Sequence, residues 1–232
     1  MKAKKVFVLV MLVCSMFFVQ DVYASETNIK LNQEELKDVD HLMIVAHPDD
    51  ETIWGASHLL KDKYLVVCIT NGKNNKRHKE FVKVMKKIKT PYLILNYPDK
   101  VKGQRDDWKS SEEAIQKDLK YIMNFKDWKL IATHNPKGEY GHIHHKLTSK
   151  YVTKIVKDQK LKAKFYYFGE YKQKKHIKEL KNVKKISKKD FTMKKKMMKL
   201  YKSQAKVDKK LKHMYPYEAW VLESEWKEST SI

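Results

Sequence analysis

The sequence predicts a single-domain α/β fold, a three-layer Rossmann-like sandwich built around a mostly parallel β-sheet. Short runs of consecutive apolar residues, typical of strands that are covered on both faces, alternate with longer lysine-rich segments of helical periodicity. About 208 residues follow a predicted N-terminal leader, a length that suits one domain with a sizeable core. This alternation favours parallel strands joined by right-handed crossover helices.

The predicted elements follow the same alternation along the chain. The predicted strands are the apolar runs at residues 42–46, 64–70, 92–95, 130–133 and 164–168. The predicted helices lie at residues 52–61, 77–89, 111–125, 145–157 and 190–207. No internal repeat and no glycine-rich or serine-rich linker divides the chain, so residues 25–232 are predicted to form one domain.

The first 24 residues have the pattern of a secretory signal peptide. Three lysines precede an apolar stretch at residues 6–19, and Val22-Tyr23-Ala24 forms a small-residue cleavage site. The apolar stretch is shorter than the roughly 20 residues that a transmembrane helix needs, which favours cleavage over a retained anchor. The sequence thus predicts a protein that is secreted or held in the cell envelope. Cys68 would then be the only cysteine, with no partner for an intramolecular disulfide.

The first candidate site follows the first predicted strand, where residues 46–51 read AHPDDE. Strand ends in open α/β sheets deliver side chains to the crevice where ligands bind. An imidazole nitrogen of His47 and a carboxylate oxygen of Asp50 form a partial shell for a divalent metal such as zinc. Asp49 is then available as a base. Asp50 can equally be interpreted as the N-cap of the helix that follows.

A second cluster follows the fourth predicted strand, with four histidines in the twelve residues from His134 to His145. If a helix begins near His142, then His142 and His145 lie three residues apart on one face, whereas His144 points elsewhere. Two histidines and one carboxylate, with water in the fourth position, form a recurring catalytic zinc shell. One histidine of this cluster would complete the shell begun by the first motif.

Together these residues resemble the PIG-L or LmbE-like family of zinc deacetylases, which includes N-acetylglucosaminyl-phosphatidylinositol de-N-acetylase. The family signature AHPDDE is unbroken at residues 46–51, and the downstream H-x-x-H motif lies at residues 142–145. The resemblance spans roughly residues 39–203 and implies an α/β fold, one zinc ion per chain and de-N-acetylation. Three further landmarks match: Thr-Asn-Gly at 70–72, Arg-x-x-Glu at 77–80 and Ser-Gln at 203–204.

The resemblance also implies a role for each matching residue. The implied zinc ligands are His47, Asp50 and His145. The implied catalytic residues are Asp49 as general base, His142 as electrophile or acid, and Tyr140 beside the reacting carbonyl. Arg77 and Asp99 correspond to positions that contact the sugar. A surface arginine on a helix and a turn-forming Pro-Asp pair are the alternative interpretations of these last two residues.

One position departs from the family pattern. The family motif usually reads H-P-D-H, whereas this chain has His142-Ile143-His144-His145. The missing aspartate commonly partners the acid histidine, so its replacement removes a carboxylate that would raise the pKa of His142. His144 therefore stays a rival metal ligand or acid.

The charge of the chain points to anionic partners. The full chain carries a formal charge of +22, and about +20 remains without the predicted leader. The basic residues are 48 lysines and two arginines, and they form no recognition-helix, single-strand-binding or zinc-finger pattern, so no nucleic-acid partner is predicted. An anionic envelope polymer or a membrane surface is the predicted partner. A lysine-rich composition on solvated faces is an equally simple interpretation.

The sequence therefore predicts an exported, zinc-dependent deacetylase that hydrolyses the N-acetyl amide of an amino sugar in a glycan, glycolipid or glycoconjugate. Two other functions fit the same residues. One is a basic envelope-binding or polyanion-binding protein with a degenerate metal site, and the other is a zinc amidohydrolase that acts on a non-sugar amide.

Overall fold

The computed structural model describes residues 29–180 and 183–227. The strands in these ranges are β1 (His41–Val45), β2 (Tyr64–Thr70), β3 (Tyr92–Tyr97), β4 (Lys100–Val101), β5 (Gln104–Arg105), β6 (Leu130–Thr133), β7 (Lys164–Tyr167) and β8 (Val221–Leu222). The α-helices are α1 (Asp50–Leu59), α2 (Asn75–Ile88), α3 (Glu112–Met123), α4 (Gly138–Gly141), α5 (Ile143–Asp158), α6 (Lys188–Met198) and α7 (Ala205–Leu211).

Six of the strands form one sheet in the order β3-β2-β1-β6-β7-β8, and only its last strand is antiparallel to its neighbour. Alternate residues of each central strand enter opposite cores, because successive side chains of a strand point to opposite faces. Leu42 and Ile44 pack with apolar residues of α3 and α5, whereas Met43 and Val45 pack with α1, α2 and α6. The predicted three-layer α/β fold with a mostly parallel sheet is confirmed.

The elements differ from the prediction at several places: the short helix α4 and the strand β8 were not predicted, and α2 and α5 each begin two residues early. α1 begins at Asp50, two residues earlier than expected. The β4–β5 hairpin between β3 and α3 was not predicted. The single helix predicted at 190–207 is wrong: α6 ends at Met198, a short 3-10 turn follows at Lys202–Gln204, and α7 is separate. The helix breaks where Ser203 donates from its backbone N–H and its hydroxyl to the Glu80 carboxylate on α2.

The predicted leader, residues 1–24, lies outside the described residues, so its role stays a prediction. Among the helices that the structure does describe, none has the length and apolar character needed to cross a bilayer.

Candidate metal centre and active site

The candidate site lies at the carboxyl ends of β1 and β6, which are adjacent parallel strands. The AHPDDE motif follows β1 and leads into α1, and the second histidine cluster follows β6 and leads into α4 and α5. The two motifs, 88 residues apart between Ala46 and His134, meet directly: the Ala46 backbone N–H donates to Nε2 of His134 over 3.0 Å.

The two predicted histidine ligands, His47 and His145, lie beside one carboxylate oxygen of the third predicted ligand, Asp50, so the three converge on one point. Oδ2 of Asp50 lies 3.1 Å from Nδ1 of His47 and 3.3 Å from Nε2 of His145. The same oxygen accepts the backbone N–H of His47 over 2.9 Å, and all three residues are at most 5% exposed. Asp50 is therefore not the N-cap of α1, because its side chain is directed back toward the histidines rather than to amides of the first helical turn.

The ring of His145 is held so that one nitrogen faces this convergence point. Its Nδ1 lies 2.5 Å from the carboxylate of Glu139, while its buried Nε2 makes no hydrogen bond to any part of the chain that the structure describes. An imidazole that donates Nδ1–H to a carboxylate and presents a bare Nε2 is the usual arrangement of a metal-binding histidine. Burial disfavours the charged ring, but Asp50 and Glu139 raise the pKa of His145 to about 10, because the two carboxylates favour positive charge at this ring.

Several groups of side chains offer ligand atoms at metal-binding distances. Each of three groups places its ligand atoms within 4.8 Å of one another: His47, His142 and His145; His47, Asp99 and His144; and Asp50, His134 and His145. The second group is already neutralised, because Arg77 and Arg105 both donate to Asp99. The predicted ligand set draws on the other two groups. Buried imidazole and carboxylate donors of this kind fit a divalent metal, zinc included.

Asp49 has a strained backbone beside this centre. Its φ of 119° and ψ of −28° lie in the region that favours glycine, and its side chain caps no helical amide. The Asp49 N–H donates to the buried Glu51 carboxylate over 3.1 Å, and Oδ1 accepts from Arg77 over 3.3 Å. Burial, with a smaller contribution from the Asp50 charge, raises the pKa of Asp49 well above its ordinary value despite Arg77. These properties suit a general base.

His142 is the N-cap of α5 rather than part of the helix. Its Nδ1 accepts the backbone N–H of His144 over 3.2 Å, so in the neutral ring the proton lies on Nε2. Burial, reinforced by His145 and His47, holds the pKa of His142 far below its ordinary value. The ring stacks on His145 with the centroids 4.5 Å apart. His142 is therefore built to donate a hydrogen bond as a neutral imidazole.

Tyr140 borders the same space. Its ring lies edge-on to His145 and His142, at centroid distances of 5.4 and 6.0 Å. Burial, with the negative charges of Asp50 and Asp49, raises the pKa of Tyr140, so its hydroxyl stays protonated. The tyrosine thus offers a second hydrogen-bond donor near the convergence point.

The two predicted substrate-binding residues meet at the mouth of the site. Nη1 of Arg77 donates to Asp99 over 3.3 Å, and Nη2 donates to the Pro48 carbonyl over 2.6 Å. The Arg77 side chain is only 12% exposed, so the surface-arginine interpretation is wrong. Arg105, on β5, also donates to Asp99. Both arginines of the chain thus meet at one carboxylate beside the motif.

Comparison with known proteins shows which family the chain resembles. Residues 42–156 match the family model described as PIG-L, GlcNAc-PI de-N-acetylase. This segment of the chain is similar to the PIG-L family. An uncharacterized protein of Acanthamoeba polyphaga mimivirus is 31% identical over 150 residues, which are 57% of this chain and 64% of that protein. The chain thus covers a little less than two thirds of the length of this relative.

Two solved structures share the fold at 14% sequence identity. The pseudoaglycone deacetylase Dbv21 has a TM-score of 0.56 over 74% of this chain and 85% of its own. The conserved protein TT1542 from Thermus thermophilus has a TM-score of 0.57 over 84% of this chain and 100% of its own. The resemblance to PIG-L and LmbE-like proteins stated from the motifs is confirmed.

His144 lies inside the site. It occupies the position at which this chain departs from the usual PIG-L motif. His144 was expected to point elsewhere, but it is fully buried, and its Nδ1 lies 3.0 Å from Nε2 of His47. The expectation was wrong because His144 lies in the first turn of α5, which begins at Ile143. Side chains in the first turn of a helix lean toward its N-terminus, so both His144 and His145 reach the space in front of the helix.

Two supporting residues had no assigned role in the sequence analysis. Glu139 accepts from Nδ1 of His134 over 3.0 Å as well as from His145, and its other oxygen accepts the Asn135 N–H over 3.0 Å. Since Nε2 of His134 already accepts from Ala46, this histidine braces the two motifs and is not free to bind a metal. Its place directly after a predicted strand was the available signal. Glu139 contacts both rings because its backbone adopts a φ of 51°. No pattern in the sequence predicts this conformation.

Proposed function

We propose that this protein is a zinc-dependent de-N-acetylase that releases acetate from an N-acetylated amino sugar. The observation that carries the proposal is the convergence of His47, Asp50 and His145 on one buried point with the Nε2 of His145 unpartnered among the described residues. The match of residues 42–156 to the PIG-L family model supports a de-N-acetylase and therefore the hydrolysis of an amide.

His47, Asp50 and His145 would hold a divalent metal, which would supply polarisation of an amide carbonyl and would lower the pKa of a water molecule to about 7. Asp49 takes the proton of the attacking water, since burial has raised its basicity and Arg77 orients its carboxylate. Nε2–H of His142 and the Tyr140 hydroxyl donate to the developing oxyanion, and one such donor contributes about 10²- to 10³-fold to the rate. Asp49 then returns its proton to the departing amine, so one carboxyl group serves both proton transfers.

The surface beside Asp99 supports a sugar as the substrate. A cavity of about 400 Å³ opens there and is lined by Asn71, Asn74, Asn96 and Lys100. Amide and carboxylate groups supply both donors and acceptors, which suits recognition of vicinal hydroxyl groups. Arg77 and Arg105 add positive charge at the same edge, which favours an amino sugar that carries or adjoins an anionic group.

Acetate release from a panel of N-acetylated glycans and glycolipids tests this function. We expect activity that is lost on chelation, restored by Zn²⁺ and reduced by at least about 10²-fold in Asp49→Asn. Asp107→Asn is the matched control, because Asp107 is an exposed aspartate whose side chain pairs with a lysine. Activity that persists after chelation and in Asp49→Asn would refute the mechanism. If the protein hydrolyses only non-sugar amides, the proposed substrate is wrong but the proposed metal chemistry stands.

We also propose that the protein acts outside the cytoplasm or in the envelope, where its lysines attract anionic polymers or a membrane surface. The support is the leader-like pattern of residues 1–24 and the formal charge of +22. Fractionation of cells that express the full chain should place a shortened protein outside the cytoplasm. Binding to envelope preparations that falls with salt, without any acetate release or metal content, would instead indicate a polyanion-binding protein.

A further inference from the structure

The position where His144 replaces the usual family aspartate carries an inference that goes beyond the family pattern. Both ring nitrogens of His144 make polar contacts within the protein. Its Nε2 lies 2.7 Å from the backbone carbonyl oxygen of Asp106, and its Nδ1 lies 3.0 Å from Nε2 of His47. The ring is also stacked on fully buried Trp108 at a centroid distance of 4.1 Å and an interplanar angle of 7°.

These contacts fix the direction of each hydrogen bond. A backbone carbonyl oxygen only accepts, so Nε2 of His144 must carry a proton and donate to Asp106. In a neutral imidazole the other nitrogen then has a lone pair, so Nδ1 of His144 accepts. The group it faces, Nε2 of His47, must therefore be the donor.

The consequence appears on the opposite side of the His47 ring. If Nε2 of His47 carries the proton, its Nδ1 has the lone pair, and that atom lies 3.1 Å from Oδ2 of Asp50. This is the side that faces the proposed metal. If Nδ1 of His144 carried a proton, it would instead donate to Nε2 of His47. The proton of His47 would then lie on Nδ1, the nitrogen proposed to bind the metal.

We propose that His144 is a positioning residue: it accepts the Nε2–H of His47 and so holds His47 in the tautomer whose Nδ1 binds the metal. The inference rests on the proposed metal site and assigns a task to the residue that replaces the family aspartate. Hydrogen bonds from surrounding groups to a ligating histidine fix its tautomer and orientation in metal sites generally.

The same contacts exclude His144 as a ligand. Both of its nitrogens are engaged, and Trp108 is itself fixed by a hydrogen bond from Nε1 to the Pro98 carbonyl over 2.7 Å, so ring rotation is blocked. Asp99 is the other acceptor near Nε2 of His47, at 3.5 Å, but it accepts from two arginines. The shorter contact is to His144.

Zn²⁺ affinity, measured by competition with a chromophoric chelator, tests the role without reference to activity. We expect His144→Phe, which preserves the ring over Trp108 but cannot accept, to raise the dissociation constant by about 10- to 100-fold. We expect His144→Asp, which restores an acceptor, to recover most of that loss. His176→Phe is the control, because this histidine is exposed and remote from the site in sequence.

The outcomes separate the possibilities. Unchanged affinity in His144→Phe would overturn the proposal. Complete loss of Zn²⁺ in both His144→Phe and His144→Asp would also overturn it, since it would make His144 a ligand. Where a variant fails to fold, ¹⁵N spectra of the histidines in the zinc-loaded native chain decide directly: Nε2 of His47 must be protonated and Nδ1 of His144 unprotonated. Wild-type protein that binds Zn²⁺ in this tautomer yet releases no acetate would refute the proposed function and leave this inference standing.

Discussion

Glu139→Gln is the most informative single change, because Glu139 lies behind the proposed metal ligands and makes no contact with the proposed metal itself. One of its oxygens accepts from the Nδ1 atoms of His145 and His134, at 2.5 and 3.0 Å, and the other accepts the Asn135 N–H at 3.0 Å. Its side chain is fully buried. All three partners are donors, so an acceptor-only carboxylate is required.

A glutamine cannot satisfy this arrangement. Its amide nitrogen must face either the two imidazoles or the Asn135 N–H, and in both orientations a donor meets a donor. Leaving a buried donor unpaired costs about 1–3 kcal/mol. Loss of a carboxylate behind a ligating histidine typically weakens metal binding by about 10- to 100-fold, which corresponds to about 1.4–2.8 kcal/mol.

The assay is a competition titration of Zn²⁺ against a chromophoric chelator, with the folded state checked by circular dichroism. We expect Glu139→Gln to raise the zinc dissociation constant by about 10- to 100-fold. Glu170→Gln, at a half-exposed glutamate that pairs only with lysines among the described residues, should leave it unchanged. A folded Glu139→Gln protein that binds Zn²⁺ as tightly as the wild type would refute this account of the ligand orientation.

Three further predictions concern stability and reactivity. Lys194→Met should lower the free energy of unfolding by about 3–5 kcal/mol, because it leaves the fully buried Glu218 carboxylate without its cation. Chemical denaturation measures this loss, and a value below about 1 kcal/mol would contradict the prediction. Cys68 is fully buried and burial raises its pKa, so it should react with a thiol reagent only after unfolding; rapid labelling of the native protein would count against the structure. Burial raises the pKa of Asp118 above its ordinary 3.8, so the folded state retains a proton that the unfolded state releases. The stability of the wild type relative to Asp118→Asn should therefore fall as the pH rises above about 4, and parallel pH profiles would exclude this.

Local patterns in the sequence were sufficient to predict the five parallel strands of the sheet and the meeting of the two motifs. The apolar runs before His47 and His134 predicted two buried strands, and parallel strands end at the same edge of a sheet. Placement of His47, Asp50 and His145 near one another follows from that topology. The roles of these residues remain predictions until metal binding and turnover are measured.

Features that depend on distant contacts were missed. The direction of His144 depends on where α5 begins, and its partners Asp106 and Trp108 come from a loop with no periodic pattern. The 3-10 turn that separates α6 from α7 is held by a contact between Ser203 and Glu80, which are 123 residues apart. Propensity and periodicity describe neighbours along the chain, so neither identifies such pairs.

The backbone of Asp49 implies a conflict between durability and turnover. Glycine adopts a φ of 119° with little strain, whereas an aspartate in this conformation is strained by about 1–3 kcal/mol. Asp49→Gly should therefore melt at a higher temperature than the wild type while losing the proton acceptor. Selection for thermal robustness alone would remove this carboxylate, so its presence marks a place where the chain retains strain for chemistry.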